Sequence, residues 1–386
     1  MNRLVDGGKQ TWICAVAVFV VTSCSRLGLS HAAPGDIISC GSLGGNLTIA
    51  ADGINDNGLA VGSSFTQTNE QHAYAFRAPG PPRDLGGTRA YGVNIHDQVV
   101  GQAGFGAGGT HAFSYRDGEL IKDLGTLGGF NSIASDINDS GVIVGFSDTS
   151  TFSRAFKYSG NGPMVDLGSL PTGGYESYAL GINRAGVIVG GARDLQGVDH
   201  LMRVVGDGPM EDLGRLDDYY QTYGRDVNNN GLIVGAARVY TNISDTVGIR
   251  CDWPNQITRL ALLNGGSLSN AYAVNDSNVI VGSANDASGS SHAVLWTTSG
   301  GIVDLQAWMQ LVNPIEGAKW TLRYAYDINN SGLICGLGQY NDGPGGLSDG
   351  QRGWILDAST FVPEPHVGPY LLAALRLLHA RFRRKC

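Results

Sequence analysis

Three segments of this 386-residue chain carry the oxygen-rich spacing of a calcium loop: Asp136-x-Asn138-x-Ser140-Gly, Asp226-x-Asn228-x-Asn230-Gly and Asp327-x-Asn329-x-Ser331-Gly. Carboxylate, amide and hydroxyl oxygens at alternate positions can surround a hard cation. The ligand set is not completed. Such loops need a further carboxylate at the ninth or twelfth position. Val144, Val234 and Cys335 stand at the ninth, and Ser147, Arg238 and Gly338 at the twelfth. Four histidines, His72, His111, His200 and His292, open matching triplets such as His111-Ala-Phe and suggest a shared metal. Glu176, Asp194, Asp217 and Asp218 could supply the carboxylate pair of a glycan hydrolase. Finally, aromatic rings sit beside acids at Phe130, Tyr175, Glu176, Tyr178, Asp217, Asp218, Tyr219, Tyr220, Tyr223 and Trp308. A ring can stack on the apolar face of a pyranose while a carboxylate accepts its hydroxyls. Tyr175, Glu176, Tyr219, Tyr220 and Trp308 therefore form the candidate ligand-binding set. The plainer reading is that the tyrosines fill space between structural units. The sequence lacks Gly-x-Ser-x-Gly, His-Glu-x-x-His and a phosphate-binding Gly-Lys motif. No catalytic residue, metal or cofactor is expected.

What positions these residues is a repeat. Asp136-Ile-Asn-Asp-Ser-Gly-Val-Ile-Val-Gly145 reads as the middle of a β-hairpin, with Asn138–Gly141 as its turn. The turn asparagine recurs at Asn55, Asn94, Asn138, Asn183, Asn228, Asn275 and Asn329, at spacings of 39, 44, 45, 45, 47 and 54. Gly141, Gly186 and Gly231 are expected to hold positive φ after it. A third strand keeps step at His72-Ala-Tyr, His111-Ala-Phe, Arg154-Ala-Phe, His200-Leu-Met, Ile249-Arg-Cys, His292-Ala-Val and Arg352-Gly-Trp. A fourth follows at Asp84-Leu-Gly, Asp123-Leu-Gly, Asp166-Leu-Gly, Asp212-Leu-Gly, Arg259-Leu-Ala and Asp304-Leu-Gln. Four short strands per unit of about 40–50 residues is the pattern of a propeller blade.

The expected fold is all-β: a seven-bladed β-propeller over residues 36–360, of four-stranded blades. Ile37–Leu43 matches a fourth strand that arrives before any first strand, and the seventh unit lacks one. The N-terminal strand is thus expected to close the last blade and remove its open edge. Two arguments follow for chemistry. Equivalent outer histidines in a ring point apart, so they cannot share one ion, and the repeated aspartates fail as a catalytic set for the same reason. They are expected to accept local backbone hydrogen bonds. The first Asp of the calcium-like segments is replaced by Gly53, Gly92, Gly181 and Ala273 in the other copies. A structural turn explains all seven, whereas calcium explains three.

The variable loops, including Gln306–Leu322, fall on one face of such a ring, where binding resides. No long amphipathic helix is expected between the ends. The net charge is −8 without an interior basic patch, which argues against nucleic acid. Cys40, Cys251 and Cys335 stand at apolar repeat positions and are expected as buried free thiols. A monomer is expected.

The ends read as addresses. Residues 1–33 have a basic start at Arg3 and Lys9, an apolar run from Trp12 to Val21 and small residues near Ala32, as in a secretory signal peptide. Val21-Thr-Ser-Cys24 offers a lipidation alternative, and a retained anchor is the third. Residues 362–386 contain Pro363-Glu364-Pro365, an apolar stretch and a basic end at Arg381–Lys385. This order resembles the PEP-CTERM sorting tail of Gram-negative bacteria, which implies processing by an exosortase-type enzyme. A transmembrane stop at this segment is interrupted by Arg376 and His379. Across residues 38–356 the repeated Asp-Leu-Gly, Asp-Ile-Asn and His-Ala-Phe motifs resemble the HAF repeats of bacterial extracellular proteins. That resemblance implies secretion and a β-rich repeat, and brings no activity with it. The expectation is a non-catalytic secreted or surface-attached scaffold, binding extracellular polysaccharide or a surface protein. A propeller-type glycan hydrolase and a domain of a larger surface assembly are the alternatives.

Overall fold

The computed structural model describes residues 33–105, 108–216, 219–239, 246–252, 254, 256–343 and 350–362. The chain is all-β and propeller-like, made of antiparallel four-stranded units that follow the repeat. The first unit is Gly44–Ile54, Ala60–Thr66, Gln71–Phe76 and Arg83–Gly86. The second is Arg89–Val93, Val99–Phe105, Gly109–Tyr115 and Lys122–Asp123. The third is Ser132–Ile137, Ile143–Asp148, Ser153–Tyr158 and Val165–Asp166. Glu176–Ile182, Val187–Arg193, Asp199–Val205 and Glu211–Gly214 make the fourth. Gln221–Val227, Ile233–Arg238, Thr246–Asp252 and Gln256–Arg259 make the fifth, joined to the fourth by one parallel pairing of Asp199 with Gln221. The sixth is Ser269–Val274, Ile280–Asn285, Ser291–Trp296 and Ile302–Asp304. In the last, Trp320–Ile328, Leu333–Tyr340 and Gly350–Asp357 are joined by Ile37–Ser39, with Ile37 opposite Leu356 and Ser39 opposite Trp354. The pairing extends to Cys40, whose N–H donates to Gly353 O at 3.0 Å, while Leu43 bridges instead to Thr66.

A bulge fixes the shape of each first strand. In the third unit the register slips between Ala134 and Asp136, and the same slip recurs in the other units. It drives one first-strand carbonyl against the second strand. A Cβ on Gly145 would lie 1.9 Å from Ile133 O, and one on Gly235 would lie 2.0 Å from Tyr223 O. The glycine of each Val-Gly pair is therefore a steric requirement, not a turn residue. Opposite it packs the third-strand apolar residue: Tyr74 faces Gly62, Phe113 faces Gly101, and Trp354 faces Gly336. The same register corrects one assignment. Gly235 faces Ile249, so the fifth third strand aligns as Val247-Gly248-Ile249, two residues before the Ile249-Arg-Cys expected from sequence.

The cores lie between units. Phe156 and Ile143 pack with Val100 and Ala112 of the preceding unit, and Trp296 with Leu232 and Val234. Each buried large side chain contributes about 1.5–3 kcal/mol. A serine pins successive units together. Ser132 Oγ accepts from Ala112 N (2.8 Å) and donates to Gly125 O (2.5 Å), and Ser177 Oγ does the same with Ala155 N (3.0 Å) and Gly168 O (2.6 Å).

The long segment after Asp304 is a correction. It holds a helix, Leu305–Val312, and a helical turn, Pro314–Gly317, rather than a loop alone. Asp304 caps the helix, its Oδ1 accepting from Gln306 N and Ala307 N at 2.9 and 3.2 Å. In the first four units Asp-x-Gly makes the same aspartate-to-backbone contact, Gly125 N donating to Asp123 Oδ1 for instance, and the positive φ of Gly125 turns the chain away. Gln306 replaces that glycine, so the chain winds on. Among the described residues no helix is long and apolar enough to cross a membrane. The signal-peptide residues before 33, Cys24 and the sorting tail with Pro363, Glu364 and Pro365 lie outside the described residues.

Candidate functional site

The seven hairpin asparagines are buried and use both ends of the amide. Within its own turn, Asn138 Oδ1 accepts from Ser140 N and Val142 N at 3.1 and 3.0 Å. Its Nδ2 donates to the main-chain oxygen of the next asparagine, Asn183, at 3.1 Å. The same bond runs from Asn55 to Asn94, Asn94 to Asn138, Asn183 to Asn228, Asn228 to Asn275 and Asn275 to Asn329, then from Asn329 to Asn55, at 2.8 to 3.3 Å. Gly141, Gly186 and Gly231 hold φ of 80°, 79° and 86°, as the turn requires.

The calcium-like aspartates serve the same joints. Asp136 Oδ1 accepts from Ile137 N (2.7 Å) and Oδ2 from Ile182 N of the next unit (2.9 Å). Asp226 spans to Val274 N and Asp327 to Ile54 N, each at 2.8 Å. The units they reach carry Gly181, Ala273 and Gly53, small residues at the place of the aspartate. A Cβ on Gly181 would come within 2.8 Å of the Asp226 Cα. The alternation of Asp and small residues is thus a packing code between neighbours. Burial, together with repulsion from Asp226, raises Asp136 well above the usual carboxylate range. Burial pushes Asp327 up to about 7, with Asp226 adding to it, and Asp226 itself up to about 6. Among the described residues, His, Cys, Asp and Glu side chains form no group of three able to hold a metal. A central cavity of about 180 Å³ opens among the turns, lined by Asp56, Asp139, Arg184, Asp276 and Asn330 together with the asparagines.

The repeated histidines pair with the repeated aspartates of the adjacent strand. His72 Nδ1 lies 2.9 Å from Asp84, His111 3.0 Å from Asp123, His200 2.9 Å from Asp212 and His292 2.8 Å from Asp304. The signal was the constant spacing of 12 residues between them. His200 and His292 also meet Asp194 and Asp286 through Nε2, at 3.4 and 3.3 Å. Among the described residues the cysteines, Cys40, Cys251 and Cys335, are buried free thiols. Burial pushes Cys40 up to about 12 and Cys251 up to about 11, so neither is a thiolate nucleophile at neutral pH.

The loop face gathers some of the candidate ligand residues and separates others. Glu176, at the start of a first strand, pairs with Arg193, which also grips Asp199 through Nε at 2.7 Å. Asp199 is 1% exposed and accepts further from Gln221 Nε2 (2.8 Å) and the Tyr178 hydroxyl (3.4 Å). This ionic knot supports an aromatic surface. A Cβ on Gly197 would lie 3.2 Å from the Tyr220 hydroxyl and 3.5 Å from that of Tyr175, so both tyrosines converge over the Asp194–Val198 turn. Phe152 meets the Tyr175 ring at 5.2 Å and is 42% exposed, and Leu195 beside them is 66% exposed. Tyr219 is elsewhere. Its ring is buried against Ala237, Val247 and Ile249, with the Arg259 guanidinium 4.9 Å above it. Trp308, on the helix, packs against Phe361 at 5.1 Å, remote from this cluster. Asp217 and Asp218 lie outside the described residues. Sequence reasoning missed Arg193 and Asp199; Arg193 recurs as Arg238 in the fifth unit, where Thr246 stands in place of Asp199.

No protein-family model matches the chain, and no curated protein matches it. The solved structures it resembles are propeller proteins of low identity. TolB from Acinetobacter baumannii is 14% identical, with a TM-score of 0.41 over 57% of this chain and 53% of TolB. Puromycin hydrolase is 14% identical, with a TM-score of 0.46 over 73% of this chain and 48% of the hydrolase. A gluconolactonase from Xanthomonas campestris is 10% identical, with a TM-score of 0.38 over 64% and 85%. The chain spans about half the length of the first two.

Proposed function

We propose that the chain is a seven-bladed β-propeller, closed by Ile37–Ser39, that acts as a non-catalytic binding scaffold for extracellular polysaccharide at or beyond the surface of a Gram-negative bacterium. Export by the N-terminal segment and exosortase-type processing at Pro363-Glu364-Pro365 belong to the same reading. The observation that carries it is how the polar groups are divided. The repeated Asn, Asp, Ser and His side chains make hydrogen bonds within and between units. The half-buried Tyr175 and Tyr220 and the exposed Phe152 and Leu195 sit on one loop face, over the Glu176–Arg193–Asp199 knot. Rigid framework and variable surface are the usual division of a binding module.

The test is retention of the purified chain on immobilised matrix polysaccharides. The Tyr175→Ala/Tyr220→Ala variant should keep the parental melting temperature and lose retention. Tyr219→Ala is the contrasting control. Its ring is buried, so it should lower stability by about 3–5 kcal/mol. A Tyr175→Ala/Tyr220→Ala variant that binds like the parent ends the carbohydrate reading.

A further inference from the structure

The wall of the central axis is built from the first strands, and two of its positions do not repeat. Three residues before each hairpin asparagine stand Asp52, Tyr91, Ser135, Leu180, Arg225, Tyr272 and Tyr326. The fold does not dictate these residues, unlike the asparagine or the Val-Gly glycine. On one side they assemble an aromatic wall. Tyr178 meets Tyr223 edge-on at 6.2 Å, Tyr272 meets Tyr326 at 5.3 Å, and Tyr326 stacks on Tyr324 at 5.7 Å. Arg225 lies within this wall, its guanidinium 5.3 Å from the Tyr223 ring and 4.8 Å from that of Tyr272.

Arg225 differs from Arg89 and Arg193, which carboxylates hold. Arg89 is held by both oxygens of Asp52, at 2.6 and 2.9 Å, and Arg193 by Glu176 and Asp199. Among the described residues no carboxylate reaches Arg225. Its Nη2 donates to the Tyr223 hydroxyl at 3.2 Å, and its buried Nε has no acceptor. A half-buried cation with a spare N–H loses hydration that nothing in the chain returns. A guanidinium pre-stacked on aromatic rings is suited to a carboxylate, which it can meet with two parallel bonds. The strand gives the route. Gln221, which bonds Asp199 under the loop surface, and Arg225 share one first strand, about 13 Å apart at ~3.3 Å per residue.

We propose that Arg225 is an anion-recognition group of the central channel and takes the carboxylate of an acidic sugar, with Tyr223 and Tyr272 beside the pyranose. This rests on the polysaccharide reading above and narrows it to uronate-bearing glycans. The probe is trigalacturonate, with maltotriose as its neutral counterpart, titrated calorimetrically into the full chain. Trigalacturonate should bind, more weakly as salt is added, and maltotriose should bind far less. Arg225→Gln should weaken trigalacturonate binding by about ten-fold or more, and Arg225→Lys by less, because charge persists without the planar fork. If Arg225→Gln lowers the melting temperature, the Arg225 Nε resonance of the parent chain serves instead and should shift on saturation. Equal binding of the two trisaccharides overturns the proposal, as does parental affinity in a folded Arg225→Gln variant or an unmoved Nε resonance. Retention on neutral polysaccharide that Tyr175→Ala/Tyr220→Ala abolishes, without trigalacturonate binding, would overturn this inference and leave the scaffold reading standing.

Discussion

Asn329 Nδ2 donates to Asn55 O at 3.1 Å, across 274 residues of sequence. The bond is the same one that each hairpin asparagine makes to the next. A residue type chosen for its turn geometry is thereby also the joint between units. Asp would satisfy the turn, because its Oδ1 could still accept two backbone N–H groups. It could not donate.

That distinction can be measured. Asn228 Nδ2 donates to Asn275 O (2.9 Å) and to Asn278 Oδ1 (2.7 Å). Asn228→Asp places a buried carboxylate against two acceptors. It should destabilise the chain by about 2–4 kcal/mol at neutral pH, and by less in acid, where the carboxyl regains a proton to donate. Urea denaturation at both pH values decides it. Equal stability of variant and parent at neutral pH would remove the joint from the account.

Two kinds of glycine should respond differently to the same methyl group. Gly231 has a φ of 86° and open space around its Cβ position, so Gly231→Ala should cost about 1 kcal/mol, and Gly231→Val more. Gly235 would place its Cβ 2.0 Å from Tyr223 O, backbone against backbone, and Gly235→Ala should cost several times as much. Thermal melts of the two alanine variants rank them directly. The reverse order would contradict the bulge.

What could be read from sequence was what repeats. Hairpin asparagines, Val-Gly pairs and Asp-Leu-Gly strands each mark a position where one residue type is geometrically demanded. The fifth third strand was misplaced by two residues because Val247-Gly248-Ile249 lacks both the histidine and the aromatic that mark its equivalents. Tyr219 looked like Tyr220, yet the ring of the first is buried and that of the second is half-buried at the surface. Asp199 and Arg225 occur once each in the pattern, and Arg193 recurs only as Arg238, which faces Thr246 instead of an aspartate. Their roles depend on side chains brought together from neighbouring units, which spacing along the chain does not record.

The inter-unit carboxylates make stability depend on pH in an unusual direction. Asp226 and Asp327 are raised to about 6 and about 7 in the folded chain, above their unfolded values. Between about pH 4 and 7 the folded chain therefore holds protons that the unfolded chain has lost. Their contribution favours folding in acid and declines as pH rises through this window. Asp327→Asn removes one titrating group, so the variant should lose less stability than the parent between pH 4.5 and 8, by on the order of 3 kcal/mol. Its absolute stability falls too, because Nδ2 cannot accept from Ile54 N as Oδ2 does. A parallel pH profile for variant and parent would show that Asp327 does not titrate in this range.

The proposed closure by the N-terminal strand makes a separate prediction. Ile37–Ser39 covers the outer edge of Gly350–Asp357, and Ile38 and Cys40 pack with Ala51, Tyr74 and Ile355. Deleting residues 34–42 should expose that edge and lower the melting temperature by many degrees. A transition unchanged from the parent would argue against closure by this strand.

The calcium-like spacing gives the final test. In Asp136-x-Asn138-x-Ser140 the carboxylate already accepts from Ile137 N and Ile182 N, and the amide oxygen from Ser140 N and Val142 N. A cation could take these oxygens only by breaking the bonds that join the third unit to the fourth. The ninth position, Val144, is buried in the apolar core between those units and offers no oxygen in return. Calcium needs six to eight oxygen ligands, so binding here would have to exceed the value of several buried hydrogen bonds with an incomplete set. Millimolar calcium or EDTA should therefore shift the melting temperature by less than about 1 °C. A clear calcium-dependent rise would reassign Asp136, Asp226 and Asp327 as metal ligands. Isothermal titration with calcium on the Asp136→Asn, Asp226→Asn and Asp327→Asn variants would then show which of the three segments holds the ion.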